Sequence, residues 1–543
     1  MRTMDFGKWQ ELYDPGVPCS IRYPHLPLKD YFLQRVAEYP HRDYIIWRDI
    51  HLTYEQCNFL SRKFANSLIR IGCQKQDRIA LMTGNVPEYI IALQACFKLG
   101  VIAVPLNPRS KAEELTKHII TTGCSTVVVL GSFAEKALEM VQGDCNPLEN
   151  MIVIDQAEHV GIWNNTKLYG WTDFIDGGED SEPDIVVEPE DIALLQYTGG
   201  TTGFPKASIL TNANLEAGAI MIHSWFKPLL GERVIKCLAA QPLYHIMGFI
   251  SSVNLNLIGG GTIILVDPPT PENVIANINL HEPNCFSAVP TLLFNLSHYP
   301  STMRSKISKI AILLIGGSPL PAELRQAFEQ QYHINIVQGY GMSEVLAIAM
   351  EPCLGPKRQR SVGLPFPDTK IKIVDAEDYT IELAPGNPGE LLIKGPQVTS
   401  GYWANKIETD NSLQDGWFHT GDIVIQDEDG YLFVVDRKKD LIISSGFNVY
   451  PREIDEILYK HPAVLEACTV GIAHPKRVEA AKTYVVLKEG CSVKANDLID
   501  FCRNHLTAYK VPVEVEFITQ LPKTSIGKPD RVALRRMAKK CPR

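Results

Sequence analysis

Nowhere in the 543 residues does an uninterrupted apolar run reach the ~18 residues that a membrane-spanning helix requires. The longest stretch, IIALQACFKLGVIAVPL at 90–106, is broken by Lys98 and Gly100 and reads as a buried helix followed by a strand. The amino-terminal MRTMDFGKWQELYD meets acidic residues before any apolar core could form, which argues against a secretory leader. The thirteen cysteines, scattered from Cys19 to Cys541, contain no C-x-x-C pair and no Cys/His cluster at zinc spacing. A disulfide framework is therefore disfavoured, and reduced thiols in a cytoplasmic protein are expected. Internal repeats and low-complexity tracts are missing, which excludes a solenoid. A G-x-x-x-x-G-K-[ST] loop is also missing, so P-loop kinases and GTPases are disfavoured. A net charge of −9 argues against nucleic acid as a partner. A soluble protein is expected, with peripheral membrane contact left open.

The composition, 45% hydrophobic and 21% charged, is that of a globular chain, and the length suggests about three or four compact units. Charge is unevenly spread. From Arg437 onward the chain carries 20 Lys+Arg against 12 Asp+Glu, a net of +8, which leaves −17 before it. A basic tail on an acidic body reads either as a domain with an anionic partner or as solvated surface. Short β-branched runs alternate with helical segments: 77–85 as strand and turn, 87–100 as helix, 101–107 as strand. Further strands follow at 125–131, 259–267 and 309–320. This alternation predicts α/β architecture, with parallel βαβ sheets in a large N-terminal domain. Around 371–435, short runs with turn signals predict a small barrel-like subdomain. After DRKKD (436–440) a small α+β domain is expected, with helices near 451 and 494–506 and strands near 464–471 and 483–487. The expected organisation is thus 1–435, a hinge at 436–440, and a C-terminal domain at 441–543.

The chemistry concentrates first in YTGGTTGFPK at 197–206. Its glycines (Gly199, Gly200, Gly203) let successive backbone N–H groups turn toward one anion. Thr198, Thr201 and Thr202 add hydroxyl donors, and Lys206 adds a full positive charge. A polar turn explains any single Gly-Thr pair, but not this density. The loop resembles the signature of the adenylate-forming superfamily, which includes acyl-CoA and aryl-CoA synthetases, peptide-synthetase adenylation domains and firefly-type luciferases. Further motifs follow in the family's order: PLYHIMGF (242–249), GGSPL (316–320), QGYGMSE (338–344), GELLIKGPQVTSGYW (389–403), GWFHTGD (416–422), DRKKDLIISSGFNVYPREID (436–455) and LPKTSIGK (521–528). The resemblance spans essentially the whole chain and is closest to fatty-acid–CoA ligases. Two departures stand out. Gly199 replaces a frequent serine, and Pro529 follows Lys528 where an aliphatic residue is usual; proline biases that lysine toward extended backbone.

This resemblance implies an ATP-dependent acid–CoA ligase that forms an acyl adenylate and pyrophosphate, then transfers the acyl group to the CoA thiol. Thr198–Lys206 would cradle the ATP phosphates, and Glu344 would hold Mg²⁺. Gly317, Ser318, Pro319, Gln338, Gly339, Tyr340, Gly341, Met342 and Ser343 would wall the adenine site. Asp422 and Arg437 would take the ribose. Lys528 would bridge carboxylate and α-phosphate, as a compact ammonium on a flexible stem can. With Lys528, the resemblance counts Thr198, Lys206, Glu344 and His245 as catalytic. Lys439 matches the hinge of a mobile lid, while Ser445, Gly446 and Phe447 match the pantetheine tunnel. Lys476 and Arg477 have two readings, CoA phosphate contacts or solvated surface. The acyl pocket would draw on the 223–226 region, His245, Met247, Gly248, Val289, Gly316, Gly317 and Gly339. Its apolar, small side chains suit a fatty, alicyclic or aromatic acid. No carrier-protein segment follows 528, which favours free CoA. A separate carrier protein and a non-catalytic acyl- or nucleotide-binding relative stay open, as do monomer and homodimer.

Overall fold

The structure is a computed structural model that describes residues 7–140, 147–155, 161–198, 206–300, 305–444, 447–475, 477–524 and 528–540. It divides into two compact units, Met1–Lys370 with Lys394–Phe418, and Ile371–Ile393 with His419–Arg543.

The first unit is built on two sheets. In one, the eight described strands run in the spatial order Ala207–Thr211, Ile192–Tyr197, Ile102–Pro105, Arg78–Met82, Thr126–Leu130, Asn150–Ile154, Thr166–Gly170, Gly161–Trp163. The interior pairs are parallel and both edges antiparallel. The helix Pro87–Leu99 crosses between two of these strands. Proline opens it, where a missing N–H costs nothing, and Gly100 closes it at φ +61. Twelve of its thirteen residues are buried, so it is a core helix, as its all-round apolar sequence requires.

The second sheet has a parallel centre in the order Ile336–Tyr340, Ile312–Ile315, Cys285–Ala288, Lys236–Ala239, Thr262–Leu265, Asp43–Trp47. Its core holds Leu238, Ile264, Phe286, Leu313, Ile315 and Phe328. The amino-terminal segment is tied down within this unit by buried polar bonds. Asp14 accepts from the backbone N–H of Cys353 (2.6 Å), Leu354 (2.9 Å) and Gly355 (2.6 Å). Replacing Asp14 by alanine would leave buried donors unpartnered. Asp14→Ala is expected to cost roughly 2–4 kcal/mol, read as a lower apparent unfolding midpoint in urea with activity retained at low denaturant.

The second unit carries an antiparallel pair, Trp417–Gln426 with Leu432–Arg437, alongside Gly389–Lys394 and Lys370–Val374. It also holds a five-stranded sheet among the described residues: Phe447–Val449, Ile442–Ser444, Val478–Leu487, Val464–His474, with Glu514–Phe517 beside Val478–Leu487. Helices Pro451–Tyr459 and Ala495–Arg503 bury Ile454, Leu458, Leu498 and Cys502 against it. The architecture is thus the α/β class that the sequence pattern indicates. The described cysteines are all free thiols, and no described helix is long and apolar enough to cross a membrane.

Candidate active site

Register assembles the first half of the site. Ala288 pairs with Ile315, and Ile315 with Gln338, so three parallel strands end side by side. The next residues, Val289, Gly316 and Gly339, therefore emerge together at the carboxyl edge, where open α/β sheets bind ligands. A side chain at Gly316 would put its Cβ 3.2 Å from both the Gly339 carbonyl oxygen and Met247 Cε. Gly317 stands at φ +75, with Met247 Sδ and Val289 as its nearest neighbours. These glycines let backbone line the wall while Met247 and Val289 supply apolar surface. The buried Glu351 holds the adjoining strand by accepting from the Gln338 N–H (2.8 Å) and from Arg325 (2.8 Å).

His245 precedes the short turn Ile246–Gly248, with its ring 4.8 Å from that of Tyr244. Its loop is stitched in place by Asn85, which accepts from Leu243 N–H (2.9 Å) and donates to the Gln241 carbonyl (2.9 Å). Gln196 donates to the Tyr244 carbonyl (3.1 Å). A Cβ at Gly248 would lie 2.3 Å from the Pro242 carbonyl oxygen, so glycine is required there.

Of the phosphate loop, Gly199, Gly200, Thr201, Thr202 and Gly203 lie outside the described residues. Its flanks are tied together, Thr198 N–H donating to the Lys206 carbonyl at 2.9 Å. Lys206 forms an ion pair with Glu408, its ammonium 5.5 Å from the centre of the Tyr402 ring. Tyr402 also donates to Glu344 Oε1 at 3.0 Å. Burial and the adjacent Glu344 raise the Tyr402 phenol, keeping it a neutral donor. Glu344 is itself buried. One tyrosine thus stands between the predicted phosphate lysine and the predicted metal carboxylate. Neither Tyr402 nor Glu408 is singled out by the sequence reading. Tyr402 lies within the TSGYW motif and could have been found there; Glu408, in KIETD, carries no signal.

The second unit carries a cluster of its own. On the antiparallel pair Asp422 stands directly opposite Arg437, and Arg437 Nε meets Asp422 Oδ1 at 2.7 Å. Asp422 is buried and Arg437 is half exposed. A cleft of about 210 Å³ is lined by Thr420, Gly421, Arg437, Lys438 and Lys439. Lys528 shares this neighbourhood: burial, then Arg437 and Lys439, pull its ammonium down to about 8, against the opposing charge of Asp422. Lys439 is exposed in the 3-10 turn Lys438–Asp440.

Among the predicted CoA contacts, Ser445, Gly446 and Lys476 lie outside the described residues. Ser444 pairs with both Phe447 and Val478, which brings Phe447 and Arg477 to one sheet edge. Phe447 is exposed and stacks on Tyr509 at 4.6 Å. From the 223–226 region, Trp225 is fully buried between Tyr13 and Phe366, as part of the core.

Within the first unit Tyr402 stands between Lys206 and the buried Glu344, and within the second the Asp422–Arg437 pair stands beside Lys528. The AMP-binding enzyme family model matches residues 32–403, and the model of that family's C-terminal domain matches 453–528. The chain belongs to this family, the adenylate-forming enzymes. It is 33% identical over 540 residues to a long-chain-fatty-acid–CoA ligase of Bacillus subtilis, covering 96% of each chain. It is 31% identical to a feruloyl-CoA synthase of Amycolatopsis, covering 91% of this chain and 96% of that one. Among solved structures, o-succinylbenzoate CoA synthetase of Bacillus subtilis, bound to its acyl-adenylate intermediate, superposes with a TM-score of 0.81. That match is 30% identical and covers 93% and 97% of the two chains.

Proposed function

We propose that this protein is an AMP-forming acid–CoA ligase acting on an apolar carboxylic acid, with long-chain fatty acids foremost. The observation that carries the reading is the set Asp422, Arg437 and Lys528, a ribose acceptor and two cations grouped within one unit. Relatives named as long-chain-fatty-acid–CoA ligases match over almost the full chain, and Met247 and Val289 with three glycines form an apolar wall.

In the first half-reaction the acid carboxylate attacks the α-phosphate of ATP, and pyrophosphate leaves. Both reactants are anions, so the enzyme must hold them together and neutralise charge gathering at the α-phosphate. Lys206 binds pyrophosphate oxygens by exchanging Glu408 for them. Asp422 accepts from the ribose hydroxyls, and the Lys528 ammonium donates to the carboxylate and α-phosphate oxygens. Glu344 suits Mg²⁺: a buried carboxylate beside a neutral phenol is a hard oxygen ligand, and no described cluster of three or more metal-binding side chains competes with it. When bound with ATP, the ion supplies neutralisation of the phosphate charge. In the second half-reaction the CoA thiol attacks the adenylate carbonyl and AMP leaves. Lys439 serves as the hinge for exchanging the two faces of a lid, a reading supported by its exposed position in the turn Lys438–Asp440, since hinges need only a few residues that absorb backbone change. The free thiols suit a cytoplasmic enzyme.

Two measurements follow. With the acid varied by chain length at fixed ATP and CoA, kcat/KM should rise from acetate to dodecanoate; a preference for acetate would overturn the acid assignment. The Lys528 reading sets a pH dependence, because the protonated form is the active one and its pKa is about 8. For adenylation, kcat/KM reports the free enzyme and should fall about tenfold per pH unit above that value. A plateau persisting to pH 10 would contradict it.

A further inference from the structure

Lys528 is bonded to Thr524 and flanked by a bridge. Its carbonyl accepts from the Thr524 N–H (2.7 Å), its N–H donates to Thr524 Oγ1 (3.3 Å), and Lys523 bridges Pro529. Asp530 then caps the helix Arg531–Lys540, accepting from the Ala533 N–H at 2.9 Å. Lys528, three residues before Arg531, therefore goes where the first turn of that helix goes.

That turn is anchored by Arg531. Its Nη2 meets Asp455 Oδ2 at 2.8 Å, its Nε donates to the Thr469 carbonyl at 3.2 Å, and its Nη1 stands 4.0 Å from Asp440 Oδ2. One helical turn on, Arg535 Nη2 meets Asp440 Oδ1 at 2.5 Å. Asp440 closes the turn Lys438–Asp440 that holds Lys439. Asp436, four residues earlier and buried, accepts from the backbone N–H of Arg437 and Arg452 (both 2.8 Å). Two arginines on one helix thus tie Lys528 to the hinge turn, and Arg531 ties it to the helix Pro451–Tyr459 as well.

Stability alone is a poor reason for such a cluster. Buried ion pairs often add nothing over apolar replacements of similar volume, and their best-attested use is to fix one arrangement among several. The arrangement fixed here is the distance from the hinge to the catalytic lysine. We infer that Arg531 is a positioning residue for adenylation: it fixes the helix turn next to Lys528 onto Asp455 and the Thr469 carbonyl, and, with Arg535 bonded to Asp440 on the same helix, holds Lys528 at a set place relative to the 438–440 turn, so that movement at the hinge delivers Lys528 to a fixed place. This rests on the proposed role of Lys528. Arginine suits the task because its planar fork bonds two acceptors at once and faces a third carboxylate, whereas lysine is a single point charge. Burial pushes the Asp455 carboxyl up to about 7, with Arg531 the main opposing influence, so without the arginine Asp455 can stay protonated and the unit need not bury a bare charge.

The test separates the half-reactions in the full-length enzyme, with dodecanoate as the acid. Arg531→Met should lower dodecanoate-dependent ATP–pyrophosphate exchange by at least ~10-fold, since a displacement of about 1 Å can cost 10² in rate. Thioester formation from synthetic dodecanoyl adenylate and CoA, which needs the same folded unit but not Lys528, should stay within about twofold of wild type. Arg531→Lys should fall between wild type and Arg531→Met in exchange. Equal loss of both half-reactions would show a merely structural role, and unchanged exchange would also overturn the inference. Lys528→Ala is the control. If it retains exchange, the lysine assignment fails first; if it loses exchange while Arg531→Met does not, only the positioning role fails.

Discussion

Lys528→Ala is expected to reduce ATP–pyrophosphate exchange by ~10²–10³-fold, the scale of one lost transition-state donor, and to leave thioester formation from a synthetic acyl adenylate near wild type. The asymmetry follows from where charge develops. Adenylation gathers negative charge on the α-phosphate as pyrophosphate departs, and a preorganised ammonium acts on that charge. Attack of a thiol on an adenylate already has AMP as its leaving group and needs no such neutralisation. The surroundings of Lys528 sharpen the expectation, because burial, then Arg437 and Lys439, hold its ammonium down to about 8, against Asp422. An ammonium made uncomfortable by neighbouring cations gains most when a polyanion arrives. Equal loss in both half-reactions would contradict this division of labour.

Glu344→Gln is the second large effect. The amide is nearly isosteric and its oxygen can still accept from Tyr402, so the 3.0 Å contact and the local fold should survive. What is lost is the negative charge that a hard cation requires. We expect kcat/KM for ATP to fall by about 10²-fold, the scale of one lost electrostatic contact to the transition state, and the Mg²⁺ concentration for half-maximal rate to rise. Tyr402→Phe, which keeps the charge and removes one neutral hydrogen bond, should cost less than about tenfold. A Glu344→Gln enzyme with unchanged Mg²⁺ dependence would remove the glutamate from the metal site.

Much of this was legible in the sequence because it is local. Pro87 opening an apolar helix and Gly100 closing it are written in adjacent residues, as are the strand runs at 126–130, 262–265 and 312–315. The order of the motifs points to the family that the chain belongs to. Register was not legible. That Asp422 lies opposite Arg437, or that Val289, Gly316 and Gly339 emerge together, depends on which strands pair, and pairing partners lie up to tens of residues apart. Tyr402 and Glu408 reach Lys206 across about two hundred residues of chain, a closure that no periodicity encodes. Asp14 is similar: an acidic residue in an unremarkable amino-terminal stretch turns out to hold three backbone amides more than three hundred residues away. Arg531 and Arg535 read on paper as part of a basic tail. In the folded unit they are paired with Asp440 and Asp455, so these two arginines are engaged within the unit and not offered to ligands.

ATP cleavage to AMP should be coupled to an apolar acid and to CoA. The most direct measurement is AMP release by the full-length enzyme with ATP, Mg²⁺ and CoA over a panel from acetate through dodecanoate to ferulate. The account predicts AMP and acyl-CoA in equal amounts with the apolar acids, and neither when CoA or acid is withheld. AMP without thioester would contradict CoA as the acceptor, and no AMP with any acid would contradict the enzyme itself.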